Sequence, residues 1–125
     1  MAHARRKFDQ DQDSDRTRAE QALKLFQPLY EIEREPKMIN LTPVDRKSLR
    51  QEKSIKPLSD LHEWLMETSL QVLPKSVIGQ AIAYTLKLWP RLIRYTENGL
   101  WEIDNNLAEN SIMSSQPVSP RESRK

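Results

Sequence analysis

The sequence predicts an all-α chain, a helical hairpin or bundle fragment followed by a disordered C-terminal tail. Three observations carry that expectation. Two glycines stand against eight prolines, and aromatics make up only 6 %, too few turn and strand formers for an all-β fold. Apolar residues recur at i, i+3, i+4 and i+7 through most of residues 15–112. Helix starts are spelled out by capping residues, most clearly at Thr42-Pro43 and Ser76. The expected organisation is a basic segment and linker at 1–13, a helical region at 14–112 and a tail at 113–125.

The elements follow in order. Met1 to Phe8 is a short basic segment compatible with helix, and Asp9 to Asp15 reads as a polar, acid-rich linker. Ser14 or Asp15 caps a helix running to about Glu35, with Ala19, Ala22, Leu23, Phe26, Tyr30 and Ile32 as its apolar stripe. Pro28 removes a backbone donor inside it, and Pro36 ends it. Lys37 to Leu41 reads as a connector. Thr42 is then an N-cap, with Pro43 in the first helical position and Asp45 three residues on. Arg46, Lys47, Arg50, Glu52, Lys53 and Lys56 form either a solvated mixed-charge face or a face toward DNA. Pro57 marks a kink or a second start, and Leu58, Leu61, Leu65, Thr68 and Val72 continue as a core stripe. After Pro74, Ser76 opens the longest apolar face: Ile78, Ala81, Ile82, Thr85, Leu86, Trp89, Leu92 and Ile93. Pro90 should kink this helix, and Gly99 suits a left-handed position after its end. Short connections pair helices 42–72 and 76–98 as an antiparallel hairpin. From Met113 onward Ser, Pro and charge dominate without periodicity, the pattern of a disordered tail.

Composition excludes several classes. The absence of cysteine rules out a disulfide framework and thiolate metal sites and is compatible with the cytoplasm. No apolar run approaches the ~18 residues of a membrane span, and the basic N-terminus lacks the apolar core of a signal peptide. The net charge of +2 is uneven. Arg5, Arg6 and Lys7 sit at one end, and Arg121, Arg124 and Lys125 with one acid sit at the other, so the middle is acidic. Positive charge confined to the ends gives weak support for autonomous DNA binding.

Leu100 to Ile112 is the stretch with the most chemical content. Asp104, Asn105 and Asn106 are all N-cap residues, and Glu109 falls in the first turn beyond them, where a helix dipole stabilises a carboxylate. On spacing alone this is an ordinary capped helix start or a rigid mount for one metal-binding acid. The run Ile103-Asp104-Asn105-Asn106-Leu107-Ala108-Glu109-Asn110-Ser111-Ile112 resembles the segment around the last acid of DDE transposases of the IS-sixty-six family of bacterial insertion sequences. Ala2-His3-Ala4-Arg5-Arg6-Lys7-Phe8 and Leu29-Tyr30-Glu31-Ile32-Glu33-Arg34-Glu35 resemble two further blocks of that family. Tyr84, Leu88-Trp89, Arg94-Tyr95 and Gly99 also fall where the family has them. The likeness runs in order from about Ala2 to Ile112. It departs at both ends: the family has two catalytic aspartates before the histidine-arginine block, and a glycine-arginine-lysine-asparagine run where this chain has Met113-Ser114-Ser115-Gln116-Pro117.

The resemblance implies chemistry in which three carboxylates hold two divalent ions, Mg²⁺ or Mn²⁺, for attack on a phosphodiester. It assigns the last carboxylate, catalytic and metal-binding, to Glu109, with Asp104 in support. It makes His3, Arg5, Arg6 and Lys7 candidate DNA contacts, the alternative being a solvated basic terminus. His3 as a metal ligand lacks a second His or Cys at ligand spacing. One carboxylate cannot hold Mg²⁺ against water, so the expectation is a truncated transposase, catalytically inactive in isolation and binding no metal itself. The alternative is a helical interaction module that binds an intact transposase, itself or DNA and modulates transposition. Weak DNA binding through the basic ends, no membrane association and a bacterial cytoplasmic location complete the expectations.

Overall fold

A computed structural model describes residues 1–104, and all regular structure among them is helical. In order these are α1 (Ala2–Gln10), a 3-10 turn (Asp11–Asp13), α2 (Arg16–Glu33), α3 (Pro36–Asn40), α4 (Pro43–Lys53), α5 (Ile55–Ser69), α6 (Val77–Leu92) and a second 3-10 turn (Ile93–Thr96). Three starts follow the sequence signals. The Asp15 carboxylate accepts from the Arg18 N–H at 3.3 Å, the Thr42 hydroxyl from Asp45 N–H at 3.2 Å, and the Ser76 hydroxyl from Gly79 N–H at 3.1 Å. Each satisfies one of the donors that a helix start leaves free.

The expected hairpin forms from α5 and α6, joined through residues 70–76. Helix α2 lies across α5, and α1 packs against both α2 and α6. Leu61, Leu65, Ile82 and Leu88 meet Phe8, Phe26 and Leu29 in one core. Phe8 contacts the Phe26 ring at 5.8 Å between centroids and meets Trp64 edge-on at 6.1 Å.

Several expectations need correction. The helix expected over 42–72 is two helices. Buried Ser54 ends α4 and begins α5, so Pro57 falls in the first turn of α5, where a missing N–H breaks no hydrogen bond. The linker expected at Asp9 to Asp15 is the end of α1 and a 3-10 turn, and the connector at Lys37 to Leu41 is mostly α3. Residues 1–13 are not a loose end: Met1, Ala4 and Phe8 are buried in the same core as the later helices. On α6 the buried position belongs to Leu88, while Leu86 is half-buried at the margin. Gly99 is not in the left-handed region. Its role is close approach, since a Cβ there would collide with the backbone of Pro43. The tail at 113–125 lies outside the described residues.

Candidate functional site

The helical periodicity of α2 puts Leu23, Gln27, Tyr30 and Arg34 on one stripe, and α1 lies alongside it. Arg5 and Arg6 on α1 face that stripe, and Asp104 closes the third side. Together with Ala2 and Asp9 they line a cleft of about 470 Å³. The Arg5 guanidinium stacks 4.7 Å from the centre of the Tyr30 ring. The Tyr30 hydroxyl donates to Asp104 Oδ1 at 2.6 Å. Residues from all three resembling blocks, separated by up to a hundred positions in sequence, therefore converge on one surface. Arg34, at the C-terminal end of α2, is favoured there by the negative end of the helix dipole.

The expected DNA contacts divide. Arg5 and Arg6 are exposed and line the cleft, whereas Lys7 points elsewhere, its ammonium 4.6 Å from the Tyr84 ring centre on α6. His3 is half-buried on α1 and does not line the cleft. Asp104 reaches the cleft, but Glu109, Asn105 and Asn106 lie outside the described residues. Among the described residues no group of three or more His, Cys, Asp or Glu could hold a metal ion. Asp9 and Asp104 alone do not supply the donor set of a two-ion site.

A buried ion pair fixes the approach to Asp104, and sequence reasoning missed it. Arg50, read as part of a solvated or DNA-facing surface, is 2 % exposed and pairs with Glu33 through Nη2 and Nε, at 2.7 and 3.0 Å. The same guanidinium donates to the carbonyls of Tyr95 at 2.7 Å, Asn98 at 3.3 Å and Trp101 at 2.8 Å. One helical turn earlier, Arg46 donates to the carbonyls of Gly99, Leu41 and Met38. These two arginines of α4 thereby hold residues 95–101, the strap that delivers Asp104 to Tyr30. The signal was present: α4 has only Val44 and Leu49 as aliphatics, and Val44 is exposed, so something other than an apolar stripe had to anchor it. Tyr95 packs beneath the Arg50 guanidinium, 5.0 Å from ring centre to Cζ. Burial pushes its hydroxyl strongly upward, the charge of Glu33 adds to this and Arg50 opposes it, so Tyr95 stays neutral at any physiological pH.

Comparisons with known proteins point to the family that the sequence blocks resemble. The model of the family described as "Transposase IS66 family" matches residues 1–116. Two proteins of Sinorhizobium fredii (strain NBRC 101917 / NGR234) are similar. "Uncharacterized protein y4hP" is 34 % identical over 126 residues, covering 90 % of this chain, and "Uncharacterized protein y4jD" is 31 % identical over 115 residues, covering 91 %. The chain spans 22 % of the length of each of these relatives. No solved structure matches. The family model covers nearly the whole chain, including every residue of the cleft, and on that ground the chain belongs to the transposase IS66 family.

Proposed function

We propose that this chain is the helical part of a DDE transposase, carrying the last catalytic acid at Glu109 and a DNA-contacting surface at Arg5 and Arg6, with His3 and Lys7 on the flank. The observation that carries the reading is the cleft itself. The histidine-arginine block, the Tyr30 block and the approach to Glu109 meet there, with Tyr30 bonded to Asp104 at 2.6 Å. Glu109 follows Asp104 by five residues, a reach of at most about 18 Å. The family's chemistry implies Mg²⁺ or Mn²⁺ held by two further aspartates besides Glu109. No described trio of acids replaces them.

On this reading the isolated chain binds DNA weakly and does not cut it, and it acts in the bacterial cytoplasm. The test is nicking of a DNA substrate by the purified chain with Mg²⁺ or Mn²⁺. Cleavage that Glu109→Gln abolishes overturns the inactive assignment. A second reading, a module that docks on an intact transposase or on a second copy, is favoured by exposed apolar side chains. Leu70 is 88 % and Leu73 76 % exposed in the connection between α5 and α6, and Leu100 is 72 % exposed; apolar side chains that cluster at a surface favour association. No described helix is long and apolar enough to cross a membrane, so these side chains do not form a span.

A further inference from the structure

We infer that Arg34 completes, with Arg5 and Arg6, a three-guanidinium clamp for the phosphodiester of single-stranded DNA, and that duplex DNA does not enter this cleft. The inference rests on the reading of Arg5 and Arg6 as DNA contacts and extends it to a residue and a strand state that reading does not specify.

Four observations carry it. Arg5, Arg6 and Arg34 come from two helices and line one cleft of about 470 Å³. Arg6 and Arg34 are exposed, and among the described residues neither side chain has an ion pair or hydrogen bond. Their planar forks are therefore available, and a guanidinium binds phosphate oxygens in bidentate fashion. Three guanidiniums outnumber the two carboxylates of the cleft, each of which has one oxygen held by a neutral donor, while Gln27 donates one amide hydrogen to Glu31 at 3.0 Å and keeps the other. Asp9 accepts from Gln12 at 2.8 Å, and Asp104 accepts from Tyr30 at 2.6 Å. Finally, about 470 Å³ accommodates a group of nucleotide size. A cleft of about 470 Å³ is too small to take in a duplex, which can meet only its rim.

Lys7 is excluded from the clamp, because its ammonium sits over Tyr84 on α6. A count of basic residues at the N-terminus therefore overstates one contact and omits another, Arg34, twenty-nine positions away in the sequence.

The experiment is a fluorescence-anisotropy titration of the full chain with a labelled single-stranded oligonucleotide and with its duplex, each at two salt concentrations. Wild type, Arg5→Gln, Arg6→Gln, Arg34→Gln and Arg34→Lys are compared. Arg16→Gln is the control, because Arg16 starts α2 roughly 27 Å from Arg34 and pairs with Glu20. The single strand should bind more tightly than the duplex. Arg34→Gln and Arg6→Gln should each weaken it several-fold and flatten the plot of log affinity against log salt by about 0.7 per lost phosphate contact. Arg34→Lys should retain most of the affinity, and Arg16→Gln all of it. If Arg5→Gln and Arg6→Gln weaken binding while Arg34→Gln does not, the clamp is wrong and the DNA-contact reading stands. If none of the three matters, both fail. Duplex binding as tight as single-strand binding overturns the strand preference.

Discussion

Arg50 shows how much one side chain can organise. It is buried, paired with Glu33 and bonded to three carbonyls, so its removal leaves a buried carboxylate and three acceptors without donors. Breaking a buried pair from one side costs about 3–5 kcal/mol, whereas replacing both partners with apolar groups is often nearly neutral. Urea denaturation should therefore show Arg50→Ala destabilised by about that amount, and Arg50→Met with Glu33→Leu recovering much of it. Equal loss in the single and double variants would mean that the carbonyl contacts, not the ion pair, dominate. Asp11 gives a second test with a definite sign. Its carboxyl is buried in the turn after α1, one oxygen lacks a partner among the described residues, and burial raises its pKa, with Lys7 opposing and Asp15 adding. The folded state then holds this proton more tightly than the unfolded chain. Its contribution to stability is greatest below the usual carboxylate range and falls as pH rises through the raised value. Asp11→Asn should melt higher than wild type at neutral pH, with the gap closing toward pH 3. A gap independent of pH would remove Asp11 titration as the cause.

At the level of elements, the helix starts were legible because capping is local. Thr42, Pro43 and Asp45 state one start within four residues, and the structure shows the hydrogen bond they imply. Thr42→Ala should cost about 1 kcal/mol, measured as a shift in the urea midpoint with unchanged slope. The apolar stripes were legible too, but only to within a neighbouring position. Leu86 and Leu88 are both apolar residues of α6, and which one is buried depends on how α5 and α1 pack against that helix. Leu88→Asp, rather than Leu86→Asp, should be the change that unfolds the chain, by burying an unpaired charge. What could not be read was set by partners distant in sequence. The break at Ser54, the burial of Arg50 and the contact of Gly99 with the Pro43 backbone each require knowing which segments meet. Gly99→Ala tests the last of these. The added methyl has no space against main chain that is itself fixed by a helix start, so a cost of about 1–3 kcal/mol is expected from overpacking. An unperturbed melting temperature would show that the strap has room to move.

For the molecule as a whole, the candidate site was half legible. The resembling blocks contain Arg5, Arg6, Tyr30 and Arg34, and folding brings them together, but the resemblance assigns a DNA-contact role only to the arginines of the first block; that of Arg34 follows from its place beside Tyr30 on the cleft. Trp89, Trp101, Leu100 and Ile103 do not form one exposed apolar patch. Ile103 is buried, both tryptophans are half-buried, and Leu100 alone is open. Ile103 escaped exposure because Arg50 and Arg46 draw the strap onto α4. Apart from Ile39 and Ile55, the large apolar side chains that are exposed among the described residues lie at two places. Met66, Leu70, Leu73 and Val77 surround the α5–α6 turn, and Val44 lies near Leu100 where Gly99 meets Pro43. Water contact at such positions disfavours the free monomer, and association removes it without requiring any change of fold. Size-exclusion chromatography with light scattering should show a mass that rises with concentration. Leu70→Lys together with Leu73→Lys should return it toward the monomer, because both side chains are exposed and their replacement leaves the core intact. If Leu100→Lys does so instead, the surface in use is the one beside the arginine strap, adjoining the cleft. A monomer at every concentration would leave the turn as solvent-facing surface and remove self-association from the functions open to this chain.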